Sequence, residues 1–364
     1  VTLVLRDLAR VQHLEGLKQA AVLQAPLWMP RSRSAPAHPV SMPEILQHYG
    51  YLSVPGLHGM LRAWRDTFET LQPDLLLCDF APTALLAARD QPFVRASIGS
   101  GYAIPPDGVS PMPTFRPVSP EVRARSLRAE QKVTSVIQNV CETLGQPRIN
   151  NVSDLFKVDE SFLCTLPDLD HYDRPQPAKY WGLPTQSSGG EEPNWTDSKR
   201  KKVFAYVKPP GAHFDTTIQA LQQSGYEAEV FAPGISSAAM QKYTSSTLRI
   251  SSKPYNLTKV FDTCDAVICH AGHETVVPAL IAGRPVVLMP LQMEQHALAR
   301  RVEAQGIGEL VAPDSLSSLP QALERMLDAS CIERTRVFAS KHSVKSPSAT
   351  IDNIVERCEQ LLGN

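Results

Sequence analysis

The stretch from Cys264 to Gly308 constrains the fold of this chain more than any other part of the sequence. An apolar run at 266–269 predicts a buried strand, which stops at a His-Ala-Gly turn before a helix-like segment. A Gly-Arg-Pro turn ends that segment, and a second apolar run at 286–289 predicts the next buried strand. Strands and helices that alternate in this way are typical of a parallel sheet with crossover helices.

The turn after the first of these strands has the residues of an anion site. The first N–H groups of a helix lack intrahelical partners, and they point with the helix dipole at one spot. His270, Gly272 and the hydroxyl of Thr275 lie beside that spot and suit a diphosphate. After the next strand, Glu294 and Gln295 add a carboxylate and an amide, which hydroxyl-rich ligands need, in the crevice beyond the carboxyl edge of the sheet.

This pattern resembles the donor-binding signature of the inverting, nucleotide-sugar-dependent glycosyltransferases of the GT-B fold, the UDP-glycosyltransferase-like family. The family pattern is roughly H-x-G-x-x-[ST]-x-x-E-A, then G-x-P, then P-x-x-x-[DE]-Q. The matching positions are His270, Gly272, Thr275, Ala279, Gly283, Pro285, Pro290, Glu294 and Gln295. The resemblance, to a bacterial-type member, implies an α/β GT-B fold in which two Rossmann-like domains with parallel sheets face a central cleft. The alternative is an ordinary βαβ unit with a chance His-x-Gly.

Two sets of alternating strands and helices predict two domains. We expect an acceptor-binding domain at 1–185, a linker at 186–202, a nucleotide-sugar donor domain at 203–346 and a C-terminal helix at 347–364 that can pack back on the first domain. The sequence opens on a strand at 1–5 with no preceding Met. In the resembled family the first βα unit carries the catalytic histidine, and we expect that unit to be missing from this sequence.

Helical periodicity is predicted at 42–71, and a buried strand is predicted at 73–79, ending on the carboxylate of Asp79. The resemblance implies that Asp79 is the partner of a catalytic histidine upstream of the sequence. A carboxylate bound to the ring's other nitrogen fixes its tautomer and stabilises the imidazolium that forms as the acceptor hydroxyl loses its proton. Alternatively, Asp79 caps the next helix or binds loop amides.

The acceptor-binding residues that we expect are Phe80, Ser100 and Gly101, which follow the strands predicted at 73–79 and 93–98. Loops at the strand ends of this domain vary with the ligand. The sequence therefore specifies the acceptor only as a small-molecule or lipid-like compound.

Two further residues, Tyr255 and Lys208, are among the donor-binding residues that we expect. Tyr255 follows Lys253-Pro254, where plant-type members carry W-x-P-Q and the Trp stacks on the nucleobase; here Tyr255 either stacks on a base or packs the loop. Lys208 either offsets phosphate charge or is solvated.

Two residues depart from the family pattern. Glu274 lies in the first turn of the helix, where a diphosphate about 4 Å away would be repelled by about 4 kcal/mol at an effective dielectric near 20. It must therefore point away, receive a hydrogen bond, or mark a degenerate donor site. Pro278 stands where the family carries the Glu that binds the ribose hydroxyls.

No metal site is predicted. His273, which we count among the donor-binding residues, is three positions from His270, but no third ligand has the spacing that a metal needs. The seven cysteines are scattered without a CxxC pair, which favours reduced thiols in a cytoplasmic protein. The formal net charge of −1 indicates no nucleic-acid partner. No apolar run reaches the roughly 18–20 residues of a membrane span.

The sequence therefore predicts a hexosyl-type glycosyltransferase (EC 2.4) that moves a sugar from a nucleoside diphosphate donor to a hydroxyl acceptor with inversion. No cofactor is expected besides this co-substrate, a UDP- or TDP-sugar, because the helix terminus and His270 take the place of a divalent cation. We expect a monomer or a homodimer. One alternative is a nucleotide-sugar epimerase, for which Glu274 is the candidate additional acid. The other is a non-catalytic GT-B paralogue that acts as a partner or scaffold, which Glu274 and Pro278 favour.

Overall fold

The chain divides into two compact units. The computed structural model describes residues 1–13, 19–30, 32, 34–174, 177–184, 189–196, 199–342 and 346–363. The first unit comprises Val1–Gly99, Ala103–Phe162 and Cys358–Asn364. The second unit comprises Ser100–Tyr102 and Leu163–Arg357.

The strands of the first unit divide between two small sheets among the described residues. Strands β1 (Thr2–Leu5) and β2 (Ala21–Gln24) form one sheet. Strands β3 (Leu75–Cys78), β4 (Val94–Gly99) and β5 (Glu160–Leu163) form the other, in that order. Strand β1 pairs with β2, and β3 with β4, in parallel. The helices are α1 (Met42–Leu46), α2 (Val54–Leu71), α3 (Pro82–Ala87) and α4 (Pro120–Leu144), with 3-10 turns at Leu8–His13, Gln47–Tyr49 and Val152–Phe156. The strand at β2 was not among the predicted elements.

The helical periodicity predicted at 42–71 is interrupted by a turn. Gly50 has φ +90°, a conformation that favours glycine, and a Cβ there would come within 2.6 Å of Met60. The chain is then extended at Ser53, whose hydroxyl accepts the N–H of Gly56 and caps α2. The segment is therefore two helices. The predicted core positions of α2 are buried: Leu57, Met60, Leu61, Trp64 and Phe68.

Strand β3 is less buried than its apolar sequence predicts. Leu75 and Leu76 are half-buried, and Leu77 is 43% exposed. The reason is the position of β3, which pairs with β4 alone among the described residues and forms the edge of its sheet. The prediction of a fully buried strand was wrong for these positions.

The second unit contains one sheet of six parallel strands. These are β6 (Lys202–Tyr206), β7 (Glu227–Phe231), β8 (Leu248–Ser251), β9 (Ala266–Cys269), β10 (Val286–Leu288) and β11 (Gly308–Leu310). The helices are α5 (Ala212–Ser224), α6 (Ser237–Tyr243), α7 (Leu257–Thr263), α8 (His273–Ile281), α9 (Met293–Ala304), α10 (Leu319–Met326), α11 (Ala329–Lys341) and α12 (Pro347–Gly363), with 3-10 turns at Pro167–Leu169 and Pro313–Ser318.

The strand order β8-β7-β6-β9-β10-β11 is the doubly wound order of a Rossmann fold. The chain runs outward from β6 to β8, returns to β9 on the other side of β6, and continues outward to β11. The order reverses between β6 and β9, so the connections after these two strands leave in opposite directions. A crevice opens at this switch point, at the carboxyl edge of the sheet.

Helices cover both faces of this sheet, which explains the continuous apolar run of β9. Its residues, Ala266 to Cys269, are all buried. In β6 the side chains alternate between two core clusters. Val203 and Ala205 pack with residues of α5 and α10, whereas Phe204 packs with residues of α7 and α8.

The predicted linker, 186–202, lies partly outside the described residues. Its described part joins the edge of the second unit, because the N–H of Glu191 donates to the carbonyl of Pro254 over 2.8 Å and Asn256 donates back to Glu191 over 2.9 Å. Gly190, with φ +110°, lets the two backbones approach, since a Cβ there would lie 2.4 Å from the carbonyl oxygen of Pro254.

Ser100–Tyr102 and the residues from Leu163 onward, which the sequence assigns to the first domain, belong to the second unit. There Thr165 contacts α8 and Asp173 pairs with Arg301 of α9. Helix α12 corresponds to the predicted C-terminal helix, and its residues from Cys358 onward belong to the first unit. None of the helices in the described part of the chain is long and apolar enough to cross a membrane.

Candidate functional site

Two helices begin side by side at the switch point of the six-stranded sheet. Strands β6 and β9 are neighbours in parallel, with Tyr206 opposite Cys269 at their carboxyl ends. Helix α5 follows β6 after the loop at 207–211, and α8 follows β9 after the turn at 270–272. The first-turn N–H groups of both helices lack intrahelical partners, which makes this edge suitable for an anion.

His270 lies in this crevice with both ring nitrogens bonded to backbone. Its Nε2 accepts the N–H of Lys208 over 3.1 Å, so its Nδ1 carries the ring proton and donates to the carbonyl of Met289 over 3.0 Å. Burial lowers the pKa of His270, and the nearby His213 and Lys208 lower it further, against the effect of the Met289 bond. The ring is therefore neutral and braces the loops rather than presenting a free nitrogen.

The turn between β9 and α8 keeps the start of the helix open. Ala271 has φ +58°, a left-handed conformation that is uncommon for alanine and that orients successive N–H groups toward a concavity. Gly272 precedes α8, and a Cβ there would meet nothing within 4 Å. Gly272 therefore leaves room in front of the helix.

A cavity of about 650 Å³ opens beside the first turn of α8. Its walls are mainly apolar and include Tyr206, Phe231, Tyr255, Pro278 and Ile281. Thr275 also lines this cavity, and its hydroxyl makes no hydrogen bond within the described part of the chain. A mainly apolar cavity with a few polar groups at one end is the usual form of a small-molecule site.

Tyr255 belongs to both the core and the cavity wall. The residue is 5% exposed, and its ring stands edge-on to Phe204 at 5.6 Å. Its hydroxyl donates to the carboxylate of Glu229 over 2.7 Å. Burial, followed by this bond, raises the pKa of Tyr255. Tyr255 thus packs the loop, which is one of the two interpretations of this residue from the sequence. Its ring also forms part of the cavity wall.

The two departures from the family pattern both face this cavity. Glu274 is exposed and lines it, and no described residue donates a hydrogen bond to its side chain. Pro278 lies within α8 and also lines the cavity. Proline has no N–H, and its ring offers nothing to a ribose hydroxyl.

Sequence reasoning missed His213, in the first turn of α5. Its ring stands edge-on to that of His270 at 5.7 Å, and burial lowers its pKa. The side chain of Lys208 is exposed at the same strand ends. The position of His213 at the start of the helix after the first strand of the sheet was a signal that could have identified it.

Glu294 and Gln295 lie in the first turn of α9, after β10. The Oε1 of Gln295 accepts the N–H of Leu291 over 2.8 Å, which orients the side-chain amide. Ser100 donates its hydroxyl to Oε1 of Glu294 over 3.3 Å. Ser100, expected at the acceptor, therefore contacts a residue expected at the donor sugar.

Gly101 and Tyr102, which follow Ser100 in the chain, also contact residues of the second unit. A Cβ at Gly101 would lie 2.1 Å from Oδ1 of Asp170, so a larger residue would displace that buried carboxylate. The N–H of Tyr102 donates to Nδ1 of His171 over 3.1 Å.

The side chain of His273 points to a neighbouring hydroxyl. Its Nε2 lies 2.8 Å from Oγ1 of Thr165, and burial lowers its pKa to about 4. No group of three or more His, Cys, Asp or Glu side chains in the described ranges lies close enough together to hold a metal ion.

The two remaining predicted residues, Asp79 and Phe80, lie in the first unit after β3. Asp79 is exposed, but desolvation by the surrounding protein raises its pKa. Its carboxylate receives no hydrogen bond from any described residue, and Oδ1 lies beside Gly99, 3.5 Å from where a Cβ would stand. Phe80 has φ +42° and stands edge-on to Tyr49 at 6.5 Å. A left-handed non-glycine residue directly after Asp79 is a feature that often marks a functional turn.

The second unit is similar in sequence to known glycosyltransferases. Residues 211–351 match the model of the glycosyltransferase family 28 C-terminal domain. The chain is 33% identical over 91 residues to the sterol 3-beta-glucosyltransferase of Vanderwaltozyma polyspora, and 36% identical over 77 residues to an uncharacterised glycosyltransferase of Methanopyrus kandleri. These matches cover 25% and 20% of this chain, and 8% and 22% of the two relatives.

Comparison with solved structures identifies the fold. The calicheamicin glycosyltransferase CalG4 superposes with a TM-score of 0.64 at 19% identity, over 95% of this chain and 86% of CalG4. The glycosyltransferase VinC, solved in complex with dTDP, superposes with a TM-score of 0.62 at 14% identity, over 94% and 88% of the two chains. The resemblance to GT-B glycosyltransferases that the sequence predicts is confirmed.

Proposed function

We propose that this chain, a GT-B protein with a glycosyltransferase family 28 C-terminal domain, transfers a sugar from a nucleoside diphosphate sugar to a hydroxyl acceptor with inversion. The observation that carries the proposal is the crevice between β6 and β9. There two helix N-termini begin side by side, next to a mainly apolar cavity of about 650 Å³. This arrangement combines an anion site with room for a nucleoside.

In this proposal the diphosphate binds at the first turn of α8. The open space in front of Gly272 admits phosphate oxygens to the helix N–H groups, and the unpartnered hydroxyl of Thr275 supplies a further donor. Lys208, exposed across the crevice, adds positive charge. Glu274 must turn toward the solvent-facing side of the cavity for the anion to bind, because two anions at about 4 Å repel each other strongly.

The nucleoside is placed in the cavity, against the rings of Tyr206, Phe231 and Tyr255. Uridine or thymidine would fit this proposal, and we expect the donor to be a UDP- or TDP-sugar. Since Pro278 replaces a carboxylate on the cavity wall, the ribose hydroxyls have to be bound by other groups.

The leaving diphosphate needs no metal ion in this proposal. The N–H groups of the first turn of α8 and the Thr275 hydroxyl would donate to it, and the exposed Lys208 follows the neighbouring strand β6. Donors fixed in advance stabilise developing charge effectively. His270 contributes by holding the loops in place, because both of its nitrogens are bonded to backbone.

In this proposal the remaining predicted site residues serve the sugar and the acceptor. Glu294 and Gln295 would bind sugar hydroxyls, with Glu294 held by Ser100. Asp79 would orient the general base that accepts the acceptor's proton. The acceptor would be a small or lipid-like hydroxyl compound, and the scattered cysteines favour a cytoplasmic protein.

The test is sugar transfer by the purified protein. UDP- and TDP-hexoses are incubated with a panel of hydroxyl acceptors in the presence of EDTA, and products are detected by mass spectrometry. The proposal expects a glycosylated product whose anomeric configuration, read by NMR coupling constants, is opposite to that of the donor. Retention of configuration, or the absence of any nucleotide-sugar turnover, would contradict it.

A further inference from the structure

Tyr255, in the loop between β8 and α7, is fixed by its side chain and by its backbone neighbours. Its hydroxyl donates to Oε2 of Glu229, on β7, over 2.7 Å. The carbonyl of Pro254 accepts the N–H of Glu191, and the N–H of Asn256 donates to the carbonyl of Glu191. The place of the Tyr255 ring is therefore set before any ligand binds.

The carboxylate that accepts this hydroxyl is itself held by other donors. Glu229 is buried, and its Oε1 accepts the backbone N–H of Asn194 over 2.9 Å. The same oxygen accepts Nη1 of Arg249, on β8, over 3.2 Å. These bonds fix Glu229, which can then fix Tyr255.

Stability alone does not explain a carboxylate at this core position. Glu227, two residues earlier on the same face of β7, is also buried, and the single guanidinium of Arg249 pairs with both carboxylates. Apolar side chains of similar volume often stabilise a core as well as a buried ion pair does, or better. We therefore look for the role of Glu229 in what its bond to Tyr255 does at the cavity.

Tyr255 lines the cavity of about 650 Å³ together with Tyr206 and Phe231. Because its hydroxyl is donated to Glu229, the part of the cavity wall that Tyr255 supplies is the apolar ring. An aromatic ring can pack against the flat face that every nucleobase has. Tyr255 would therefore add affinity for a nucleoside without selecting among the bases.

We propose that Glu229 is a positioning residue for nucleoside binding: it holds the ring of Tyr255 as a fixed wall for the base and does not touch the ligand. The inference rests on the proposed function, because it deepens the same cavity. It also gives the described part of the predicted linker a role in the site, since Glu191 is bonded to the loop of Tyr255 and Asn194 to the carboxylate of Glu229.

The physical basis is the order of the ring in the free protein. A side chain that is already fixed loses little rotational freedom when a ligand packs against it. Without the bond to Glu229, the ring would have to be ordered as the nucleoside binds, and the affinity would fall. A ligand that has phosphates but no base should not be affected.

The experiment is isothermal titration calorimetry with UDP and dTDP, and with inorganic pyrophosphate as a displacing ligand. The variants are Tyr255→Phe, which removes the hydroxyl alone, Glu229→Met, which removes the acceptor, and the two combined. Glu229→Gln retains an acceptor oxygen. Tyr243→Phe, in the core cluster that contains Val203 and Ala205, is the matched control.

We expect Tyr255→Phe and Glu229→Met each to raise Kd for UDP and dTDP about three- to tenfold, the effect of ordering one side chain on binding. Because the two residues act through one bond, the double variant should bind about as Tyr255→Phe does. Glu229→Gln should bind nucleotide more tightly than Glu229→Met, and Tyr243→Phe should bind as the wild type does. Pyrophosphate should bind all of these proteins equally.

Equal nucleotide affinity of Tyr255→Phe and the wild type would overturn the inference. Additive losses in the double variant, or an equal loss of pyrophosphate affinity, would also overturn it, and in each case nucleotide binding by the wild type would leave the proposed function intact. Absence of all nucleotide binding by the wild type would overturn both. If Glu229→Met does not fold, as judged by circular dichroism, the comparison of Tyr255→Phe with Tyr243→Phe decides.

Discussion

The backbone N–H of Lys208 donates to Nε2 of His270 over 3.1 Å and joins the connections that follow β6 and β9. The other ring nitrogen donates to the carbonyl of Met289, directly after β10, over 3.0 Å. One neutral imidazole thus ties together the carboxyl ends of three neighbouring strands. In the proposed function this ring shapes the diphosphate site, and the donors to the diphosphate come from its neighbours.

Replacement of His270 should affect both stability and binding. His270→Ala leaves an N–H and a carbonyl in the crevice without their partner, which should lower the free energy of unfolding by about 1–3 kcal/mol. Because the loops at the switch point then loosen, UDP and dTDP affinity should also fall. Chemical denaturation and calorimetry measure the two effects, and a variant with unchanged stability and unchanged affinity would contradict this role.

Gln295 should act on the sugar and not on the nucleotide. Its side chain lies in the first turn of α9, after a different strand from the one that leads to α8. Gln295→Ala should therefore lower kcat for transfer while Kd for free UDP or dTDP stays within about twofold of the wild type, and Gln305→Ala at the far end of α9 is the control. An equal loss of affinity for the sugar-free nucleotide would place Gln295 at the phosphates or the base.

Two histidines with lowered pKa values should make the stability of the protein fall in acid. Burial lowers the pKa of His171 to about 3 and that of His273 to about 4, both below the ordinary value of 6.5. The unfolded chain therefore takes up protons first as the pH falls. This stability is fully present above about pH 6.5 and is lost progressively between that pH and about 4, by up to roughly 1.4 kcal/mol per pH unit for each histidine.

Urea denaturation at pH 7.5, 6, 5 and 4.5 measures this loss. The His273→Asn variant should show a smaller fall in the free energy of unfolding over the same range than the wild type. Parallel curves for the two proteins would mean that His273 does not titrate as its burial predicts.

Asp79 should affect the rate of sugar transfer and not the affinity for the nucleotide. Asp79→Asn keeps the shape of the side chain but removes its charge and its capacity to support a base. Transfer to a hydroxyl should then fall by about 10²–10⁴-fold, the usual contribution of general-base catalysis, with nucleotide affinity unchanged. Asp74→Asn, at the exposed residue before β3, is the matched control. A silent Asp79→Asn would require another base.

Much of the second unit could be predicted from the sequence because its signals are local. The apolar runs of β9 and β10, and the turn and helix start between them, lie within about forty residues, and each signal refers to neighbouring positions. The position of Glu294 after β10, at the carboxyl edge of the same sheet, followed from the rule that parallel strands end at one edge.

The contacts that decide the chemistry could not be predicted, because they join distant positions. His270 is bonded to residues 62 and 19 positions away, and Ser100 contacts Glu294 across 194 positions. The bonds by which His270 holds its loops, and the packing of His213 against His270, depend on the order of the strands in the sheet. Hydrophobic periodicity does not specify that order. The exposure of Leu77 likewise follows from β3 being an edge strand.

In the proposed function a nucleoside diphosphate binds at the start of α8 beside the apolar cavity. This placement is tested by calorimetric titration of UDP and dTDP into the wild type and into Thr275→Val. Thr247→Val, before β8 at the opposite edge of the sheet, is the control. We expect saturable binding of at least one nucleotide to the wild type and the control. The affinity of Thr275→Val should be about tenfold or more lower, since the hydroxyl proposed to donate to the phosphate is lost. Equal affinity of Thr275→Val and the wild type, or no binding of either nucleotide, would contradict the placement of the donor.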